Sequence, residues 1–135
     1  MLVLFNEKKQ PLIQTDNFMI QLFLLKPFTD PKSENVDQLY YCPPCTTLTG
    51  LLSYYPELKN DIDVVYVDFP RPRKIIIDIV GEENQGCPLL VVDKSDLIGL
   101  DSSDFKSYND KLFIQSVELI SKFLTAKFNI ALLHF

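Results

Sequence analysis

The 135-residue sequence lacks several features that define common functional classes. It has no glycine-rich loop of the kind that cradles phosphate, and its single histidine, His134, offers no convincing nucleophilic triad. Its carboxylates show no clustering at glycosidase or calcium-site spacing. Its apolar runs, such as 19–25 and 75–80, are far shorter than the roughly 20 residues that a membrane-spanning helix needs. Nucleotide-binding, triad-hydrolase and membrane-spanning classes therefore have no support.

Positive charge is also scarce, because 13 Lys and Arg residues stand against 18 Asp and Glu residues and leave a net charge of -5. A nucleic-acid backbone and an anionic membrane surface are therefore disfavoured partners. The chain starts with neither a basic leader nor a long apolar stretch, which predicts a cytoplasmic protein. The odd number of cysteines, three, argues against a secreted scaffold held by disulfides.

Hydrophobic patterning predicts one α/β domain over residues 19–135, preceded by an N-terminal extension over residues 1–18 with a short strand at 2–5. A hydrophobic content of 47% is sufficient for a core. Four further strands are expected, at 18–25, 62–69, 88–92 and 97–100. Three helices are expected, at 44–55, at 72–80, and from a cap at Ser102 or Ser103 to about 128.

Cys42 and Cys45 form a Cys-Pro-Pro-Cys motif at the expected start of the first helix. This spacing suits either a redox dithiol or half of a metal site. The thiolate is the nucleophile in disulfide exchange, and the free N–H groups of a helix N-terminus favour this anion at Cys42. Cys45 lies one turn further into the helix and is more protected. We therefore expect Cys42 to be the attacking thiol and Cys45 the resolving thiol.

The order of elements, this dithiol and the dipeptide Cys87-Pro88 before the third strand of the domain together resemble the thioredoxin superfamily. The resemblance implies a thioredoxin-like fold, with a central mixed sheet flanked by helices. It also implies that Pro88 is in the cis form, faces the dithiol and accepts the substrate backbone. The motif YCPPC resembles the dithiol of tryparedoxins and nucleoredoxins, but Tyr41 stands where those proteins have Trp, which bears on substrate choice.

Four short motifs also resemble an uncharacterised bacterial family of thioredoxin-like proteins. They are FLLKP at 23–27, YCPPC at 41–45, FPRPR at 69–73 and GEENQ at 81–85. The resemblance covers most of residues 19–130. It supports the fold and implies no particular activity.

Residues 89–102 resemble the glutaredoxins and the N-terminal domain of glutathione transferases more weakly. In those families an acid and a serine after the hairpin hold the γ-glutamyl end of glutathione, which makes Asp101 and Ser102 the candidate binding pair. A helix start at these residues would present N–H groups to a carboxylate, although a plain helix cap explains them equally well. Arg71 and Arg73 either meet the other carboxylate of glutathione or are solvated.

The first hypothesis is a thiol–disulfide oxidoreductase that needs no cofactor and acts on a disulfide-containing protein or on glutathione as co-substrate. One alternative is a metal or iron–sulfur site of Cys42, Cys45 and Cys87, which lacks a fourth cysteine ligand. A second alternative is a binding module in which the dithiol is a relic. Cys87 itself is either a small core residue or a third redox thiol.

Overall fold

The computed structural model describes residues 19–134, which form an α/β structure around one mixed five-stranded sheet. The predicted strand at 2–5 and the extension 1–18 lie outside the described residues. The strands are β1 (Ile20–Leu25), β2 (Ile62–Val67), β3 (Leu89–Val92), β4 (Lys106–Tyr108) and β5 (Lys111–Ile114). The α-helices are α1 (Pro43–Tyr54), α2 (Lys74–Val80) and α3 (Val117–Phe128).

The strands lie side by side in the order β2-β1-β3-β5-β4. β1 and β2 are parallel, whereas β3 runs antiparallel to both β1 and β5, and β4 pairs antiparallel with β5. The antiparallel register of β1 and β3 sets Phe23 opposite Leu89. The C-terminal end of β1 and the start of β3 therefore lie side by side at one end of the strands. α1 begins at this end, where the N–H of Leu25 points at Cys45.

Alternating side chains of the central strands pack on the two faces of the sheet. Leu22, Leu24 and Leu90 face the buried side chains of α1 and α3, including Leu48 and Leu124. The intervening residues pack on the opposite face against α2; they are Phe23, Leu89, Val91 and Phe113. Both faces are covered, which explains why β1 and β3 have nearly continuous apolar sequences. This architecture confirms the predicted α/β class and is compatible with a thioredoxin-like fold.

The helices predicted at 44–55 and 72–80 are both present, with small shifts at their starts. α1 begins at Pro43, directly after Cys42, and a 3₁₀-helix at Pro56–Asn60 follows it. Gly81 lies just past the end of α2. In each case the signal is local, since proline fits a first helical turn and glycine tolerates the backbone angles at a helix end. No helix within residues 19–134 has the length and apolar character needed to cross a membrane.

The prediction for residues 97–116 is wrong in two respects. Lys94–Leu97 is a 3₁₀-helix held by a reciprocal capping box of Asp93 and Asp96, so no strand forms at 97–100. The next residues form the β4–β5 hairpin, whose turn holds Asn109 at φ 53°. Asn tolerates such a positive φ and therefore favours a turn at this position. The residues on both sides of the turn form strands, whereas the helical spacing had assigned them to the last helix.

The last helix therefore begins at Val117 rather than near residue 103. Its N-cap is Ser116, whose hydroxyl accepts a hydrogen bond from the backbone N–H of Leu119. The assignment of Pro72 to the first turn of α2 is also wrong. Pro72 follows a cis peptide bond and precedes the N-cap residue Arg73, so it lies outside the helix.

Replacing Gly81 by alanine is expected to cost about 1–3 kcal/mol of folding stability. Gly81 has φ 91°, and an added Cβ would lie 2.7 Å from Cε1 of Tyr108. Gly99→Ala is the matched control, because Gly99 has φ 81° but no atom within 4 Å of an added Cβ. Urea unfolding of both variants measures the difference. A Gly81→Ala cost no larger than that of Gly99→Ala would show that Tyr108 moves away freely.

Candidate thiol site

Cys42 is the N-cap residue of α1, with φ -79° and ψ 117°. Its Sγ accepts a hydrogen bond of 3.3 Å from the backbone N–H of Cys45. Pro43 and Pro44 occupy the first two helical positions and have no N–H, so Cys45 supplies the first N–H that points out of the helix end. The local sequence thus directs the positive end of the helix at the sulfur of Cys42.

Cys45 lies beneath Cys42 and is 2% exposed. The two Sγ atoms are 2.6 Å apart and share a hydrogen bond, and both residues are free thiols. The backbone N–H of Leu25, at the end of β1, points at Cys45 Sγ over 3.4 Å. Burial and then the hydrogen bond with Cys42 raise the pKa of Cys45 to about 12, while the N–H of Leu25 acts in the opposite direction. Cys45 is therefore a neutral thiol at pH 7.

Cys87 and Pro88 directly precede β3. Cys87 lies two residues before Leu89, whose partner on β1 is Phe23. The Cys87-Pro88 peptide bond is cis, as the resemblance implies, and Cys87 packs against the apolar clusters on both faces of the sheet. Burial raises the pKa of Cys87 to about 11, and the charge of Arg73 acts in the opposite direction.

Arg73 is buried, so the prediction of a solvated side chain in the FPRPR segment is wrong for this residue. Its guanidinium donates to the carbonyl oxygens of Phe69 and Gln85, and its backbone N–H donates to Oε1 of Gln85 over 2.7 Å. Arg71, by contrast, is exposed. The contact joins two motifs that are separate in the sequence, 69–73 and 81–85. No local pattern links the two motifs, so the sequence alone does not indicate this contact.

Aromatic side chains connect the segment before the dithiol with the FPRPR segment. Phe28 and Phe69 stack with their ring centroids 4.0 Å apart, and Phe28 also exchanges two backbone hydrogen bonds with Tyr40. Tyr41, next to Cys42, is 67% exposed. A cleft of about 520 Å³ lies between the segment around Lys32 and the FPRPR segment. The side chains of Phe69, Arg71 and Arg73 are among those that line this cleft.

Asp101 and Ser102 lie in a turn and are both exposed. The expectation that they begin a helix is wrong, because the next helix starts at Val117. Asp101 instead accepts a hydrogen bond from the backbone N–H of Ser103, which lowers the pKa of the Asp101 carboxyl. Among the described residues, no hydrogen bond or ion pair links either side chain to the thiols. Glutathione binding by Asp101 and Ser102 stays a prediction, and it has lost the helix N–H groups on which it partly relied.

Metal-ligating groups do not converge in the part of the chain that the structure describes. Within residues 19–134, no three or more His, Cys, Asp or Glu side chains are arranged to hold a metal ion. His134 is exposed near the end of this range. Among these residues, the metal-site alternative therefore has the two adjacent thiols of Cys42 and Cys45 but no set of three or more donors.

Comparison with known proteins gives one result for residues 20–132, which match the profile of a family described as a protein of unknown function, DUF3088. Neither a curated protein nor a solved structure matches the chain significantly. The match spans the whole sheet and all three α-helices.

Proposed function

The chain belongs to the DUF3088 family, whose description carries no activity, and we propose from its thiol site that it is a thiol–disulfide oxidoreductase with a thioredoxin-like mechanism. The observation that supports this proposal is the geometry of the dithiol. Cys42 accepts an N–H at a helix start, and a second free thiol lies 2.6 Å from its sulfur. Such an arrangement serves a nucleophile and its resolving partner.

In the first step, the thiolate of Cys42 attacks one sulfur of a substrate disulfide. A new bond forms between Cys42 Sγ and that sulfur, the substrate S–S bond breaks, and the second substrate sulfur leaves as a thiolate. Cys42 is the residue for this step because its sulfur receives the N–H at the helix start and it is 8% exposed, next to the exposed Tyr41, whereas Cys45 is 2% exposed. The product is a mixed disulfide with a free Cys45 thiol beneath it.

In the second step, Cys45 loses its proton to water and attacks Cys42 Sγ. The Cys42–Cys45 disulfide forms, the mixed-disulfide bond breaks, and the remaining substrate sulfur leaves as a thiolate. The mixed disulfide prepares this attack. Once Cys42 carries the substrate, its thiol hydrogen bond and its charge no longer raise the pKa of Cys45, and the N–H of Leu25 still favours the anion. Burial, the largest cause of the raised pKa, remains, so these changes favour the Cys45 thiolate only in part.

The substrate reaches Cys42 from the side of Tyr41, which is exposed. We propose that the substrate backbone lies along Pro88, the buried residue that follows Cys87 through a cis peptide bond. A disulfide-containing protein or glutathione disulfide is the substrate class, and we place the activity in the cytoplasm.

Iodoacetamide at pH 7 is expected to modify Cys42 well before Cys45 and Cys87. With pKa values of about 12 and about 11, Cys45 and Cys87 have thiolate fractions of about one in ten thousand or less at that pH. Mass spectrometry after trypsin measures the result, because cleavage after Lys and Arg separates residues 33–59, with the dithiol, from residues 75–94, with Cys87. Fragmentation of the first peptide distinguishes Cys42 from Cys45.

The same sample is assayed for metal and for reduction of glutathione disulfide. Metal-free protein with modified Cys42 and measurable reduction supports the proposal. If all three thiols are protected from alkylation and a chelator removes this protection, the result would contradict the proposal in favour of a metal site. Reactive thiols without any exchange of disulfides would contradict it in favour of a binding module.

A further inference from the structure

The cleft between the segment around Lys32 and the FPRPR segment has no part in the proposed exchange of disulfides. Its volume of about 520 Å³ falls within the range of pockets that hold small molecules, about 300–1,000 Å³. The residues that line it come from two short stretches of the chain, 30–32 and 69–71, together with Arg73. The cleft is therefore large enough for a small organic ligand.

Three of the lining residues are cations, namely Lys32, Arg71 and Arg73. Within residues 19–134, four lysines form the ion pairs, and all four lie outside the lining of the cleft. The three cations of the cleft thus have no carboxylate partner in that range. Like charges that share one cleft repel each other, and a bound anion would offset this repulsion.

One carboxylate, that of Asp30, also lines the cleft. Its Oδ1 accepts a hydrogen bond of 2.9 Å from the backbone N–H of Lys32. In the part of the chain that the structure describes, it forms no ion pair with any of the three cations. The cleft therefore keeps an excess of positive charge.

Arg73 is the buried cation of this cleft, with only 7% of its surface exposed. One N–H from each guanidinium nitrogen donates to a backbone carbonyl: Nε and Nη2 donate to Phe69, and Nη1 donates to Gln85 over 2.8 Å. Nη1 and Nη2 each carry a second N–H, for which no acceptor is found among residues 19–134. A buried charge is costly unless it is paired, and an oxyanion would supply both the charge and the acceptors.

Two features restrict the movement of the cleft wall. Arg71 stands between Pro70 and Pro72, whose rings fix their own backbone φ. The ring of Phe69 stacks on that of Phe28, with the ring centroids 4.0 Å apart. A ligand that enters such a wall loses little affinity to the ordering of the protein.

We propose that this cleft binds a small organic anion, whose carboxylate or phosphate group is held by Arg73, Arg71 and Lys32. Planar guanidinium groups match the paired oxygens of both oxyanions. Phe69 and the neighbouring Pro70 contact the apolar part of the ligand. This site requires no exchange of disulfides, so the proposal goes beyond the proposed function and is tested independently of it.

The test is isothermal titration calorimetry of the full chain in a phosphate-free buffer at pH 7, with phenyl phosphate and benzoate as probes. Each probe carries one of the two oxyanions on the same apolar ring. We expect at least one probe to bind saturably, one molecule per chain, with a Kd below about 1 mM, and the tighter probe identifies the oxyanion. A Kd above about 1 mM for both probes would overturn the proposal. Equally tight binding of phenol, which has the ring without the oxyanion, would overturn it too.

Substitutions of exposed residues show whether the probe lies in the cleft. Lys32→Gln and Arg71→Gln are each expected to weaken binding by about threefold to fivefold. Asp30→Asn keeps an acceptor for the N–H of Lys32 but removes the negative charge, so it is expected to strengthen binding by about threefold. Lys59→Gln is the matched control, because Lys59 is exposed, has no ion pair within residues 19–134 and does not line the cleft. An equal loss in Lys59→Gln and Lys32→Gln would assign binding to overall charge and would contradict the proposal.

Arg73→Lys tests the buried cation of the site. Lysine keeps the charge but lacks the planar fork, so binding of the probe is expected to weaken by about tenfold or more. Because the substitution also removes hydrogen bonds to Phe69 and Gln85, urea unfolding first establishes that the variant is folded. A folded Arg73→Lys variant with the wild-type Kd would show that Arg73 does not hold the anion. If the variant does not fold, Lys32→Gln and Arg71→Gln decide the result.

Discussion

Replacing Cys42 by serine is expected to lower the rate of disulfide reduction by about a thousandfold or more, because the attacking sulfur is lost. Serine at the helix N-cap still accepts the N–H of Cys45, as serine is a favoured capping residue, so the fold is retained. The readout is the initial rate of glutathione disulfide reduction by prereduced protein. Ser53→Ala is the control, since Ser53 is exposed on the far half of α1, and its rate is expected to be unchanged.

Cys45→Ser separates attack from resolution. This variant retains Cys42, so it is expected to form a mixed disulfide with the substrate and then to stop, because no second thiol lies against Cys42 Sγ. Mass spectrometry without reductant detects the adduct on residues 33–59. If Cys42→Ser kept more than about a tenth of the wild-type rate, or if the Cys45→Ser adduct were found on Cys87, the assigned roles would be wrong.

Leu90→Ala is expected to lower the free energy of unfolding by about 2–5 kcal/mol, the range for a fully buried leucine that leaves a cavity. Leu90 has no exposed surface and lies in β3, opposite Leu22 of β1 and Ile114 of β5. Its side chain belongs to the cluster beneath α1 and α3, where strands on both sides prevent the site from collapsing. Urea unfolding followed by circular dichroism measures the change.

Leu132→Ala is the matched control for this substitution. Leu132 is 59% exposed in the segment after α3, so the same chemical change is expected to cost less than about 0.5 kcal/mol. A Leu90→Ala cost below about 1 kcal/mol would mean that the sheet repacks around the missing methyl groups. That outcome would contradict the rigid two-sided core described above.

The dithiol and its helix were predictable because their signals are local. A cysteine followed by two prolines defines a helix start by itself, since proline fits the first turn and lacks the N–H groups that are unpaired there. The same holds for Gly81 at the end of α2 and for the apolar runs of β1 and β3. Neighbouring residues decide these features before any distant contact forms.

The region between β3 and α3 shows where local pattern was insufficient. Leu112 and Phe113 match a helical spacing with Val117, yet they belong to β5 because β3 offers them an antiparallel partner. The turn at Asn109 was a usable signal, but pairing with a strand some twenty residues earlier decided the outcome. The proposed helix start at Ser102 failed for this reason.

The sequence by itself determined the α/β class, the dithiol at the start of α1 and the identity of the two thiols proposed to exchange disulfides. Only the tertiary structure decided that Arg73 is buried and that Cys45 receives the N–H of Leu25 at the end of β1. The physical reason is the range of the interactions involved. Caps and periodic apolar faces act within a few residues, whereas strand register and the burial of a charge depend on segments that meet only when the sheet assembles.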